Sequence, residues 1–164
     1  MKIGIIGPSK IVEDSREKIS KLAKIVAESG NEIVITPDKG SASEFFAQKY
    51  LESSGKKVWE ILPEDDKEFG YKDWVNVDLG EAINCGTWRN QPEKLNEETD
   101  ILLCVGYAVG VLAEIAYSKW FKPKPVYIVN ELVSGKLPQE VEKSLDLRYV
   151  EADAVEKELE NVKK

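Results

Sequence analysis

Apolar and polar positions follow two different rhythms along this chain. Short runs rich in Ile, Val and Leu, a composition typical of buried strands, are separated by segments whose apolar residues recur at helical spacing. Strands are predicted at residues 2–7, 32–36, 57–62, 74–79, 101–105, 126–130 and 147–150. Because strands that alternate with helices form parallel sheets covered on both faces, the pattern predicts an α/β fold. We expect a doubly wound, mostly parallel, Rossmann-like sheet of about seven strands in three layers, with the first strand near its centre.

Helix-capping patterns support these boundaries. Asp14 with Glu17, and Ser41 with Glu44, each have the spacing of a capping box, in which an acidic residue three positions after the cap reaches back to it. Further helices are predicted at residues 89–98, with Pro92 in the first turn, and at 109–120, 138–144 and 153–162. The polar residues 64–73 predict a loop, and residues 122–125 predict a turn. The charged C-terminal helix is expected to be solvated.

The composition narrows the class of protein. A length of 164 residues fits one domain spanning residues 1–164, and a net charge of −7 without a basic cluster argues against nucleic acid as a partner. Because no run is long and apolar enough and no signal pattern stands out, we expect neither a membrane span nor a cleaved leader. Cys85 and Cys104 lie in different elements, which predicts no disulfide framework and a cytoplasmic location. The abundance of Glu and Lys fits a thermophile's protein.

Histidine is absent from the chain. Its absence removes the most common general base, the Ser-His-Asp arrangement and most zinc sites. We expect no metal site and no cofactor. Any catalysis has to rely on carboxylates, Arg, Lys, Tyr or bound charge.

Residues 104–114 carry the strongest functional signal. An apolar run ends at Gly106, a second glycine follows at Gly110, and a helix-like segment carrying Glu114 comes next. A strand, a glycine turn and a helix together present backbone N–H groups to a phosphate or another anion, with Glu114 close to the ligand. The alternative is purely structural, because many such turns need glycine simply to reverse the chain.

Several segments, in order along the chain, carry a resemblance to a known family. They are the turn Gly7-Pro8-Ser9-Lys10, residues 36–47, residues 54–63, the segment Gly86-Thr87-Trp88-Arg89-Asn90, residues 107–114 and the Lys-Pro-Val pattern at 124–126. Over roughly residues 1–130 the chain resembles the Lonely-Guy-type Rossmann proteins, formerly called lysine decarboxylase-like. The resemblance is greatest to their short relatives that are similar to molybdenum cofactor carriers.

Divergence from this family is concentrated in the glycine-rich turns. Residues 37–39 and 107–108 stand where the family has glycines, and Val111 stands where it has a threonine. Side chains obstruct the approach of backbone N–H groups to a phosphate, so we expect phosphate contact to depend more on Lys and Arg side chains. Asp38 would repel a phosphate unless a lysine offset its charge.

The resemblance implies a set of site residues at the carboxyl ends of the strands. In the enzymatic members an Arg and the Glu of the last motif hydrolyse the N-glycosidic bond of nucleoside 5′-monophosphates, and by motif position these are Arg89 and Glu114. A carboxylate beside the ribosyl ring stabilises oxocarbenium-like charge, and a guanidinium binds substrate oxygens in a fixed geometry. The ligand-binding residues would be Gly7, Ser9, Lys10, Lys39, Gly40, Ser41, Asn90, Gly106, Tyr107 and Gly110.

Several of these residues also have a purely structural interpretation. Arg89 and Glu114 could instead form an ion pair of little energetic worth. Ser41 is more typical of a helix N-cap than of a ligand contact, although a helix N-terminus can serve both purposes. Tyr107 either stacks on a base or covers the sheet.

Three functions are therefore compatible with the sequence. The first is a cytoplasmic binding protein for a nucleotide or a related phosphorylated ligand. The second is a phosphoribohydrolase acting on a nucleoside 5′-monophosphate, which the retained Arg89 and Glu114 favour. The third is an assembly or regulatory protein with a vestigial pocket, and loss of the glycines favours it as much as the first. The resemblance also implies a homodimer or larger homo-oligomer, in which Trp88, Trp120 and Phe121 could pack against another subunit.

Overall fold

The computed structural model describes residues 1–121 and 124–162, and these residues form a doubly wound α/β structure. Its sheet has seven strands in the order β4-β3-β2-β1-β5-β6-β7, and every pairing is parallel. The strands are β1 (Lys2–Ile6), β2 (Glu32–Ile35), β3 (Val58–Leu62), β4 (Glu81–Asn84), β5 (Ile101–Cys104), β6 (Val126–Val129) and β7 (Leu147–Val150). The predicted parallel sheet with the first strand at its centre is confirmed.

Helices cover both faces of the sheet, which confirms the three predicted layers. They are α1 (Arg16–Glu28), α2 (Ala42–Glu52), α3 (Gln91–Glu97), α4 (Val109–Tyr117), α5 (Gln139–Glu142) and α6 (Val155–Val162). Side chains of β1 alternate between the two layers: Ile3 and Ile5 join one buried cluster with α1, α2 and α6, while Ile6 joins the other with α3 and α4. This period-two alternation lets one strand contribute to two cores.

The direction of winding reverses beside β1. The chain proceeds outward from β1 through β2 and β3 to β4, then returns to place β5 on the other side of β1. Loops after β1 and β5 therefore leave the sheet in different directions, and a crevice opens between them. This arrangement puts the loops that follow β1, β2, β4 and β5 at one end of the sheet.

The strand predicted at residues 74–79 is wrong, because the fourth strand is Glu81–Asn84. Val75 is buried, but its backbone makes only an isolated antiparallel bridge to Asp38. The true β4 pairs on one side only and is largely exposed, so it lacks the apolar run that marks the central strands. Gly80 precedes it because a Cβ there would lie 2.2 Å from the Val58 carbonyl oxygen of β3.

Neither predicted capping box is complete, but one of the two predicted N-caps is present. Ser41 caps α2, because its hydroxyl accepts from the Glu44 N–H at 3.0 Å. Asp14 and Glu17 do not cap α1; the helix follows a short 3-10 turn over Glu13–Ser15, and Ser15 lies at the N-cap without a side-chain bond to the helix. The Ser15 hydroxyl instead donates to the Val12 carbonyl oxygen within the 3-10 turn.

The C-terminal helix is not fully solvated as expected. It begins with a 3-10 turn over Ala152–Ala154, and Val155 and Leu159 then bury one face against the core cluster of α1. The other predicted helices are present with shorter α-helical spans, and Pro92 lies in the first turn of α3 as expected. Residues 122–123 of the predicted turn lie outside the described residues. In the described part of the chain, no helix is long and apolar enough to cross a membrane.

Tyr50 of α2 joins this helix to the beginnings of two strands. Its ring is fully buried, and its hydroxyl donates to the Asn31 carbonyl oxygen at 2.6 Å and accepts from the Lys57 N–H at 3.2 Å. Burial raises the pKa of the Tyr50 hydroxyl, so the group stays neutral and can do both. The ring also packs against Gly55, where a Cβ would lie 2.2 Å from it.

We expect Tyr50→Phe to lower the free energy of unfolding by about 2 kcal/mol, because two buried backbone groups lose their partner. Urea denaturation measures this difference. Tyr117→Phe is the matched control, since its hydroxyl has no hydrogen bond to the described residues, and we expect a change below about 0.5 kcal/mol. Equal losses in the two variants would contradict the role given to the Tyr50 hydroxyl.

Candidate functional site

A cavity of about 250 Å³ lies where the loops after β1, β2, β4 and β5 meet. The N-terminal ends of α2 and α4 border it, which is the position at which doubly wound sheets hold ligands. Its lining consists of Gly7, Ser9, Thr36, Asp38, Ser41, Ser43, Trp88, Gln91, Ala108, Gly110, Val111 and Glu114. We call this the inner cavity. Its lining residues include two carboxyl groups and neither Lys nor Arg, which differs from the expected phosphate contact through Lys and Arg side chains.

Glu114 is buried in the inner cavity and held by a single amide. Its Oε1 accepts from Gln91 Nε2 at 2.8 Å, and the same nitrogen donates to Thr36 Oγ1 at 2.6 Å. Gln91 of α3 thereby links the end of β2 to α4. Burial raises the pKa of Glu114 to about 8; the Gln91 hydrogen bond opposes this shift, and the nearby charge of Asp38 adds to it.

Asp38 is the second carboxyl group of the inner cavity. Its Oδ1 is buried and has no hydrogen-bond partner among the described residues. Burial raises the pKa of Asp38 to about 6, and the charge of Glu44 adds to the shift. A buried carboxylate oxygen without a partner is costly, so this atom is available to a donor supplied by a ligand.

The N-terminus of α2 is closed to an anion by the protein's own groups. The Gly40 N–H donates to Glu44 Oε2 at 2.6 Å, and the N–H groups of Ser41 and Ala42 donate to the carbonyl oxygens of Asp38 and Pro8. The Ser41 hydroxyl oxygen accepts from the Glu44 N–H. An acidic side chain thus occupies the position that a phosphate would take on a glycine-rich turn.

The N-terminus of α4 is open by comparison. Ala108 lies at its N-cap and supplies no side-chain hydrogen bond. Val109 is 87% exposed, and a Cβ built on Gly110 would meet nothing within 4 Å. Since the first N–H groups of a helix have no partner within it, this end of α4 can donate to an anion.

Five residues predicted for the site line the inner cavity: Gly7, Ser9, Ser41, Gly110 and Glu114. Gly40 lies beside them in a left-handed conformation, with φ of 79°. Lys39 lines a neighbouring cavity instead, and its ammonium donates to the carbonyl oxygens of Lys72 and Asp73.

The remaining predicted residues do not line the inner cavity. Arg89 is exposed and its Nη2 pairs with Glu68 Oε2 at 2.8 Å, so the alternative Arg89–Glu114 ion pair is not formed. The Asn90 side chain closes a local turn by accepting from Thr87. Gly106 and Tyr107 line a separate cavity of about 350 Å³ beside α1. Lys10 is exposed and lines neither the inner cavity nor the cavity beside α1.

Some residues of the inner cavity were not anticipated as site residues. The sequence assigns no role to Thr36 or Gln91, and it predicts only that Asp38 repels a phosphate. The position of Asp38 directly after a strand was a usable signal, because strand ends converge in this fold. Nothing marks Gln91, since its role depends on how closely α3 approaches α4.

A second cavity of about 410 Å³ adjoins the inner one. It shares Ser9, Asp38 and Trp88 with the inner cavity and is otherwise lined by Lys39, Phe69 and Trp74. We call it the outer cavity. Among residues 1–121 and 124–162, no cluster of three or more His, Cys, Asp or Glu side chains could hold a metal ion.

Comparisons with known proteins identify the fold. No protein-family model and no curated protein sequence matches this chain. The structure of the molybdenum cofactor carrier protein from Chlamydomonas reinhardtii matches with a TM-score of 0.76 and 20% identity, and the match covers 99% of both chains. The molybdenum cofactor binding protein from Rippkaea orientalis matches with a TM-score of 0.75 and 16% identity, over 99% of this chain and 96% of that one.

A third match has a different biological role. DNA processing protein A from Helicobacter pylori, studied for its binding of single-stranded DNA, has a TM-score of 0.67 and 13% identity, over 99% of this chain and 81% of that one. At such low identities these likenesses establish the fold alone. The expected resemblance to the molybdenum cofactor carriers is confirmed at that level.

Glu114→Gln should stabilise the protein in a pH-dependent way. Because the pKa of Glu114 is raised from 4.5 to about 8, its ionisation costs the folded state free energy, and stability is lost as the pH rises through this range. Glutamine can still accept from Gln91 but cannot ionise. We expect the variant to be more stable than the wild type by on the order of 5 kcal/mol at pH 9, with little difference near pH 4.5.

Urea denaturation between pH 4.5 and pH 9 measures the effect. Glu93→Gln, an exposed position on α3, is the matched control and should leave the pH profile unchanged. A Glu114→Gln variant with the wild-type pH profile would show that this carboxyl group is not desolvated.

Proposed function

We propose that this chain is a cytoplasmic protein that binds a nucleotide or a related phosphorylated ligand at the carboxyl ends of its strands. The observation that carries the proposal is the inner cavity at the reversal of winding, which the carboxyl groups of Asp38 and Glu114 both line. A cavity with a few convergent polar groups is the usual form of a ligand site. Two of the matching proteins bind or carry the molybdenum cofactor by their descriptions, which makes this cofactor one candidate ligand.

The two ends of such a ligand have different requirements. A phosphate needs N–H donors or cations, and the open N-terminus of α4 at Gly110 supplies the donors. The closed N-terminus of α2 does not, because Glu44 already accepts from the Gly40 N–H. The carboxyl groups of Asp38 and Glu114 suit the part of the ligand that bears N–H or hydroxyl donors.

A phosphoribohydrolase is the second candidate, and the pair of carboxyl groups in the inner cavity favours it. Hydrolysis of an N-glycosidic bond needs a carboxylate that stabilises positive charge on the ribosyl ring and an acid that protonates the leaving base. Two carboxyl groups whose pKa values are raised unequally, to about 6 for Asp38 and about 8 for Glu114, could divide these roles. Arg89 would have to leave Glu68 before it could contact a substrate.

A thermal-shift titration with nucleoside 5′-monophosphates tests the proposal. At a ligand concentration one hundred times Kd, binding stabilises the folded state by about 2.7 kcal/mol, which corresponds to roughly 5–10 °C for a chain of this size. We expect the shift to shrink with added salt, because an exposed phosphate contact is screened. Chromatography of the same samples should show intact nucleotide.

Each other outcome has a distinct meaning. Release of free base by the wild type and by Glu93→Gln, but not by Glu114→Gln, would replace binding with hydrolysis. No shift with any phosphorylated ligand would instead favour a vestigial pocket in an assembly or regulatory protein.

We also propose that the chain pairs with a second copy through α4. Val109, Leu112 and Ala116 follow one another at helical spacing on α4, and Trp120 lies in the 3-10 turn Ser118–Trp120 that continues it. All four are exposed, Trp120 to 75%. A contiguous apolar stripe on a helix is typical of a subunit contact, and a two-fold axis would let the same stripe serve both copies. The contact would lie next to the open end of α4.

Leu112→Glu should shift the chain to the monomer, because the substitution places a charge in the centre of the contact. Light scattering across micromolar concentrations measures the mass. Val141→Glu, an exposed apolar position on α5, is the matched control and should keep the wild-type mass. A monomeric wild type would refute the pairing.

A further inference from the structure

Three aromatic side chains surround the outer cavity without being needed by the core. Phe69 is 57% exposed and Trp74 is 63% exposed, and Trp88 lies between them and the inner cavity. Exposed aromatic surface is unfavourable in water, so two exposed aromatic side chains beside the half-buried Trp88 around one cavity call for an occupant. The cavity has a volume of about 410 Å³, which is within the size range of small-molecule sites.

The segment that carries Phe69 and Trp74 is fixed to the body of the protein at both ends. Asp66 is buried and accepts from the N–H groups of Phe69 and Trp88 at 2.9 and 3.0 Å. At the other end, the Lys39 N–H donates to the Trp74 carbonyl oxygen at 2.8 Å. The aromatic side chains are therefore presented by a loop whose backbone is already ordered, which lowers the entropy cost of binding.

The orientation of Trp88 is also set. Its indole N–H donates to the Gly70 carbonyl oxygen at 2.7 Å, so one edge of the ring is held by the same loop. The ring belongs to the linings of both cavities. Asp38 belongs to both linings as well, so its carboxyl group borders the space that the two cavities share.

We infer that Phe69, Trp74 and Trp88 form a stacking clamp for a planar nitrogen heterocycle, with Asp38 accepting a hydrogen bond from an N–H group on the edge of the ring. Every planar base has a face that can stack on an aromatic side chain, and a carboxylate selects rings that bear a donor. The inference rests on the proposed function and adds to it which end of the ligand enters the outer cavity. The phosphate end lies towards Gly110.

The cations near the clamp do not compete for this role. The Lys39 ammonium is occupied with the carbonyl oxygens of Lys72 and Asp73, and Arg89 is paired with Glu68 while its guanidinium lies 5.7 Å from the Phe69 ring centroid. The outer cavity thus offers aromatic faces and the Asp38 carboxyl group. A ring with N–H donors can stack on the faces and donate to this carboxyl group, whereas the negative charge of a phosphate would be repelled by it.

Isothermal titration with AMP, GMP and ribose 5-phosphate tests the clamp. We expect AMP or GMP to bind wild-type protein at least tenfold more tightly than ribose 5-phosphate, which has no ring to stack. Trp74→Ala and Phe69→Ala should each weaken the nucleotide by roughly tenfold to a hundredfold and leave ribose 5-phosphate unchanged. Val77→Ala, an exposed position in the same loop that lines neither cavity, should bind like the wild type.

The outcomes separate the clamp from the proposed function. If AMP and GMP bind but the Trp74 and Phe69 variants retain wild-type affinity, the clamp is wrong and the binding function stands. If these variants bind nucleotide normally but change the mass of the assembly, the aromatic patch is a subunit contact. If neither the nucleotides nor ribose 5-phosphate bind the wild type, both the clamp and the nucleotide-binding proposal fail. Melting temperatures close to that of the wild type confirm that the variants are folded.

Discussion

The close packing of loops around Gly7 is the constraint on which the candidate site depends. A Cβ at this position would lie 2.9 Å from both the Ala42 Cβ and a methyl group of Val105. The end of β1, the start of α2 and the end of β5 therefore approach one another more closely than side chains would allow. Because β1 lies at the centre of the sheet, this contact draws the loops on both sides of the reversal together. The inner cavity is the space that remains between them.

The fold was largely predictable because its signals are local and repeated. Central strands are buried on both faces, so each is a continuous apolar run, and β1, β2, β5 and β6 were placed to within about two residues. The edge strand β4 was misplaced for the same physical reason. One side of an edge strand has no neighbouring strand, so its residues need not be apolar. Val75, by contrast, is a buried apolar residue in a loop, and its segment therefore has the sequence pattern of a strand.

The candidate site was less predictable, because its chemistry depends on contacts between distant residues. Motif positions indicated Glu114, but they could not show that Gln91 of another helix would hold its carboxylate. Loss of the glycines after β2 suggested a weakened phosphate loop. What the sequence could not show is that Glu44 reaches back to the Gly40 N–H and replaces the anion with a group of the protein itself. The residue types at Ser41 and Glu44 are compatible both with a helix-capping pattern and with a ligand site, so the sequence cannot distinguish the two.

Two costs to the folded state coincide in one small region. Asp38 and Glu114 are carboxyl groups in a desolvated cavity, where apolar residues of similar size would stabilise the fold. In the adjoining outer cavity, Phe69 and Trp74 expose aromatic surface that folding would ordinarily bury. In the rest of the chain apolar side chains are mostly buried and charged ones mostly exposed, so both features are exceptions. Asp38 belongs to both regions, because it lines both cavities. Such exceptions are expected where a ligand supplies the missing partners. The acids would gain hydrogen-bond donors, and the rings would gain a planar face to stack on.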